Sequence, residues 1–114
     1  NFMRYLCAIL AQKGKVIVDL SSITYNIFRF KESVSEENQY LFDDIEFRAG
    51  IDNNVASTDI SEGLNSLQTF GIIGKLNPTY EKIVIYLTSE EANAILESCD
   101  KNIVTILNEL AEKF

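Results

Sequence analysis

The sequence predicts an α+β domain, mostly helical, with one small antiparallel β-hairpin. Three observations carry this. Apolar residues recur every three or four positions over most of the chain, which is helical spacing. One segment, Tyr80 to Leu87, alternates instead, which is strand spacing. Gly14, Gly50, Gly71 and the single proline fall between these segments, where a chain turns. A length of 114 residues suits one domain over 1–114 and is enough to bury a core without disulfide or metal staples.

The elements follow in order. Phe2, Leu6, Ile9, Leu10 and Lys13 share a helical spacing that Gly14 ends. The β-branched run Val16-Ile17-Val18 predicts a short strand. Asp19, Ser21 or Ser22 is expected to cap a second helix whose apolar face is Leu20, Ile23, Ile27 and Phe30, although Tyr25 to Phe30 also fits a strand. Ser35 followed by Glu36 and Glu37 reads as a helix start, since acids suit the positive end of a helix, with Tyr40, Leu41, Ile45 and Phe47 as its apolar positions. Residues 49 to 58 read as a polar loop.

The second half is more sharply punctuated. Asp59 with Glu62 resembles a capping box, and Ile60, Leu64, Leu67 and Phe70 form one helix face that Gly71 closes. On this reading Phe70 is a core residue packed on the C-terminal helices. Ile72 and Ile73 lead into a strand, Asn77-Pro78-Thr79 is a turn, and the chain returns through Tyr80 to Leu87. In that return strand Ile83, Ile85 and Leu87 point one way, and Val84 and Tyr86 the other. Thr88 and Glu91 make a capping box for a helix with Ile95 and Leu96 inside. Asp100 is expected to cap the last helix, whose apolar seam is Ile103, Leu107, Leu110 and Phe114, flanked by Val104 and Ile106.

Charge divides the chain unevenly. Residues 1 to 31 carry +4, residues 32 to 62 carry −8 and residues 63 to 114 carry −3, giving the total of −7. The acidic middle repels polyanions and suits either a solvated face or a docking surface for a basic partner.

Several chemistries are excluded by residue type. Without histidine there is no Ser–His or Cys–His catalysis and no His-based zinc site. The run Gly71-Ile-Ile-Gly74-Lys75-Leu76 is too short for a P-loop and has no Ser or Thr after the lysine. Asp52-Asn53-Asn54 is not a calcium loop, because Ala56 and Ser57 stand where a ligand and the loop glycine belong. Asp43, Asp44 and Glu46 are neighbours in sequence and so point in different directions on a helix or strand. No cofactor, metal or enzymatic activity is expected. Cys7 and Cys99 lie in apolar helical patterns and read as buried free thiols. No apolar run reaches the roughly 18 residues of a membrane span and no leader pattern opens the chain, so a cytoplasmic protein is expected. Met3 is either a native start or an internal residue of a longer chain.

Residues 59 to 88 resemble a winged-helix core. In that family a helix ends at a glycine, two apolar residues open a strand, and a hairpin returns as the wing. Leu64, Leu67, Phe70, Gly71 and Ile73 occupy the family's leucine, leucine, glycine and isoleucine positions. More loosely, a helical first half followed by such a unit and a further helix is similar to the Panacea antitoxin domain, with Arg48-Ala49-Gly50 near the family's tyrosine-glycine-proline signal but without the proline.

The winged-helix resemblance implies DNA binding by the helix before the wing, with Asn65, Ser66, Gln68 and Thr69 able to face bases. The residue types favour a protein partner instead. Residues 58 to 70 contain no Lys or Arg but do contain Asp59 and Glu62, while phosphate contacts need cations. The expectation is therefore a non-enzymatic interaction or regulatory module of winged-helix type that binds a protein, in the manner of an antitoxin. The alternative is a dimeric DNA-binding transcriptional regulator. Candidate partner-binding residues are Asp43, Asp44 and Glu46, then Asn65 and Gln68, then Leu107, Leu110 and Phe114, whose seam packs either on the first helix or on a second copy of the chain.

Overall fold

The computed structural model describes residues 2–49, 55–76 and 81–114. It is the expected α+β fold, mostly helical with small antiparallel sheets. The turn Asn77-Pro78-Thr79, the start of the return strand at Tyr80, and Asp52-Asn53-Asn54 lie outside the described residues.

Helix α1 (Phe2–Gln12) is the hub. Leu6 to Leu10 are five consecutive residues of which none is more than 2% exposed, so the helix is enclosed on every side. Helices α3 (Thr58–Thr69), α4 (Ser89–Glu97) and α5 (Lys101–Ala111) all pack on it. Small residues permit the close approaches. Ala8 of α1 meets Ala92 of α4 in a buried cluster with Ile95, and a Cβ on Gly63 of α3 would lie 3.1 Å from the Met3 Cγ. The carbonyl of Ala111, at the end of α5, accepts from Lys15 Nζ at 3.0 Å, placing a cation at the negative end of that helix.

Strand β1 (Ile17–Asp19) turns Val18 inward and pairs antiparallel with β5 (Lys82–Ile85), which pairs antiparallel with β4 (Ile73–Lys75) on its other side. The inward row of β5 is Ile83 and Ile85, as the alternation predicts, while Tyr86 points outward. Its ring lies against Gly74, where a Cβ would meet the phenol oxygen at 2.5 Å. Asp19 does not cap helix α2 (Leu20–Ser33) with its side chain. The Leu20 N–H is taken by the carbonyl of Glu81 at 2.7 Å, and the Asp19 carboxylate faces its register partner Lys82 at 3.6 Å. Strand pairing thus replaces the cap. Ile23, Ile27 and Phe30 form the buried face of α2.

After α2 the chain forms a 3₁₀ helix, Glu36–Phe42, and not the expected α-helix. The tighter winding, about three residues per turn, changes which side chain faces in. Phe42 is fully buried between Phe2 and Phe30, with ring centroids 5.3 and 6.1 Å away, whereas Tyr40 is exposed. Of the expected polar loop 49–58, Ala49 pairs with Val55 as part of strands β2 (Arg48–Ala49) and β3 (Val55–Ala56), and Thr58 already belongs to the next helix.

Helix α3 is capped by Ser57, whose hydroxyl accepts from the Ile60 N–H at 3.3 Å, and not by Asp59. Ile60, Leu64 and Leu67 are its buried residues. Phe70 is not in the core: it is 78% exposed. Each step of three residues falls about 60° short of a full helical turn, so two such steps after Leu64 rotate Phe70 out of the buried stripe. Gly71 then ends the helix at φ +76°, as Gly14 ends α1 at φ +73°. Thr88 and Glu91 make the predicted capping box, and Asp100 Oδ1 accepts from the Asn102 N–H at 2.7 Å as predicted.

Truncating Phe42 to alanine should cost about 3–5 kcal/mol, the range for a buried aromatic. Phe70→Ala should change stability by no more than about 0.5 kcal/mol, as for a surface site. Urea titration of both variants checks this ordering. Gly71→Ala, with nothing within 4 Å of the new Cβ, should lose about 1–2 kcal/mol from backbone strain alone, measured in the same way.

Candidate functional site

An open cleft of about 670 Å³ lies between the first turn of α1, the turn after the 3₁₀ helix, and α3. From α1 come Phe2, Met3 and Arg4; from the turn, Asp44 and Ile45. Helix α3 supplies Asp59, Ile60, Gly63, Ser66 and Leu67, and the chain beyond it adds Phe70 and Ile72. The walls are mainly apolar, and the charged side chains among the described lining residues are Arg4, Asp44 and Asp59. Gly63 lets α3 pack closely on Met3, and both residues line the cleft.

The acidic turn is held from two directions. Asp59 Oδ2 accepts from the Glu46 N–H at 2.8 Å, tying the turn to the start of α3. Behind it, Phe47 packs edge-on against Phe28 at 5.3 Å. The Lys31 ammonium donates to the Ile45 carbonyl at 3.4 Å and lies 5.5 Å from the Phe47 ring centroid. Arg48 donates to Thr58 Oγ1 at 3.1 Å, a further link between turn and helix. The lip bearing Asp44 is therefore positioned before any ligand arrives.

The residues singled out from sequence divide into three groups. Asp43, Asp44 and Glu46 are exposed on the turn, and Asp44 enters the cleft. Asn65 and Gln68 are exposed on α3, on either side of the cleft residues Ser66 and Leu67 in sequence. Leu107 and Leu110 are 0% exposed and belong to the core that includes α1, and Phe114 is half-buried against it. The apolar seam of α5 is thus used within the chain, and Leu107 and Leu110 offer no surface to a partner.

Sequence reasoning missed Phe2, Arg4, Ile45 and the exposure of Phe70. Arg4 had a signal, being the lone charged residue in α1. Phe70 had one also, in the angular drift of its spacing from Leu64.

Among the described residues, no group of three or more His, Cys, Asp and Glu side chains is placed to hold a metal ion, and no helix is long and apolar enough to cross a membrane. Comparison with protein-family models, with curated proteins and with solved structures finds no match for the chain.

The two thiols lie apart from the cleft lining and are free, as expected. Burial pushes Cys7 from 9.0 up to about 12. Burial, and then the charge of Asp100, raise Cys99. Between these limits the unfolded chain releases the Cys7 proton while the folded chain keeps it, so the stabilising effect of the neutral buried thiol is full below pH 9 and is lost as pH rises toward 12. At about pH 10 the loss should be about 1.4 kcal/mol relative to neutral pH. Urea titrations of wild type and Cys7→Ala at both pH values should show this extra loss in the wild type alone.

Proposed function

We propose that this chain is a non-enzymatic interaction module of winged-helix type, antitoxin-like in its use, that binds a protein partner through the cleft between α1 and α3. The observation that carries the reading is Phe70, a large ring 78% exposed at the edge of a mainly apolar cleft. Isolated apolar side chains are common on surfaces, but an exposed aromatic joined to an apolar hollow is the form of a docking site. The winged-helix type is supported by α3 ending at Gly71, by β4 opening at Ile73, and by β5 returning antiparallel beside it.

The exposed face of α3 supports protein over DNA. It presents Asp59, Ser61, Glu62, Asn65, Ser66, Gln68 and Thr69, which include two acids and no cation. Of the hairpin lysines, Lys82 already faces Asp19. A helix entering the major groove with this face would bring negative charge toward phosphates and supply no cation to offset it.

Binding to duplex DNA at physiological salt should be no tighter than the micromolar range typical of non-specific association. Fluorescence anisotropy with random and genomic duplexes measures this. In parallel, wild type and Phe70→Ser are used as baits in lysate of the source organism, and a protein retained by wild type and lost from the variant is expected. Sub-micromolar, sequence-selective DNA binding, with no Phe70-dependent protein, would replace this reading with that of a dimeric transcriptional regulator.

A further inference from the structure

We infer that the occupant of the cleft is a peptide segment with one bulky apolar side chain flanked by Lys or Arg, an inference that rests on the interaction-module reading above. Size and lining set the first part of this chemistry. A hollow of about 670 Å³ is large enough for an aromatic or branched side chain together with its adjoining backbone. Phe2, Ile45 and Phe70 offer that side chain apolar surface.

Charge sets the second part. Asp44 and Asp59 both line the cleft, and the Asp59 carboxylate accepts from the Glu46 N–H two residues after Asp44. Glu46 is joined to Asp59 through its backbone N–H, and Asp43 precedes Asp44 on the same exposed turn. The segment 32–62, which supplies all four, carries a net −8. Among the described residues Arg4 is the single cation lining the cleft. An occupant crossing the hollow meets a negative potential on the acidic side, so Lys or Arg next to the apolar anchor gains attraction there and an acidic flank is repelled. The Asp59 carboxylate is already oriented by the Glu46 N–H, and the turn is braced by Phe47 and Lys31, so little ordering is required on binding. Arg4 remains for a carbonyl or carboxylate of the occupant's backbone.

The test is selection from a random displayed-peptide library on immobilised wild-type protein. Selected peptides should place an aromatic or branched residue beside Lys or Arg. Their affinity should fall about tenfold or more with Phe70→Ser and about fivefold or more with Asp44→Lys. Tyr25→Ser, which alters an exposed ring on α2 outside the cleft, should leave affinity unchanged. Circular dichroism and urea titration of each variant confirm that the fold is retained. Phe70-dependent peptides with no basic bias, or with no response to Asp44→Lys, would overturn the charge assignment while leaving the cleft as the docking site. Peptides indifferent to Phe70→Ser, or no selected peptides at all, would overturn the inference and remove its support from the site reading. A wild-type dimer in sedimentation that Phe70→Ser dissociates would assign the cleft to a second copy of the chain instead.

Discussion

The enclosure of α1 is the constraint on which the rest of the molecule depends. Five successive buried residues on one helix cover more than a full turn, so no single neighbour can bury them. Three helices from the second half of the chain close around α1, and the inward faces of α2 and the three-stranded sheet belong to the same core. Each buried Leu or Ile contributes about 1.5–3 kcal/mol relative to exposure, and that gain requires the long loops to close. It also explains the fate of α5. An amphipathic terminal helix with Leu107 and Leu110 on its seam completes the wall around α1, and its end is fastened to Lys15.

Close helix packing around α1 does not extend to the surface at its first turn. There the chain passes from the 3₁₀ helix to β2 and brings Ile45 near Phe2 and α3 without filling the space between them. Phe42 packs against both Phe2 and Phe30, so the ring of Phe2 that lines the hollow is joined to the core. The glycine in the middle of α3 belongs to the same arrangement. Glycine weakens a helix interior by about 1 kcal/mol relative to alanine, and at Gly63 it allows α3 to lie against Met3.

Charge is organised by the same contacts. The basic first segment and the acidic second segment are not separate surfaces: Lys31 at the end of α2 holds the carbonyl of Ile45 and lies over Phe47, directly behind the turn that displays Asp43, Asp44 and Glu46. The acids therefore face outward from a braced turn. This gives a local negative lip, in contrast to the diffuse acidity that a flexible loop of the same composition would present.

Much of the fold was legible in the sequence because it depends on local chemistry. The helices at both ends, the Gly14 and Gly71 stops, the Thr88–Glu91 box, the Asp100 cap and the alternation in β5 each follow from residue type and spacing within a few positions. Part of the cleft was legible also, since Asp44 and the composition of α3 stand out in the charge pattern. What the sequence could not decide were choices between distant competitors for the same group. Glu81 took the N–H that Asp19 or a serine was expected to influence, and the Glu46 N–H took the Asp59 carboxylate, leaving Ser57 to cap α3. The 3₁₀ winding that buries Phe42 in place of Tyr40 is stabilised by contacts with Phe2 and Phe30, far away in sequence. Phe70 and Leu107 show the limit most clearly. Leu107 keeps to the stripe of its helix and is enclosed, whereas Phe70 drifts from the stripe of Leu64 and Leu67 and is exposed beside a cleft. Periodicity tells which residues share a helix face, but only the tertiary neighbours determine which part of that face is covered.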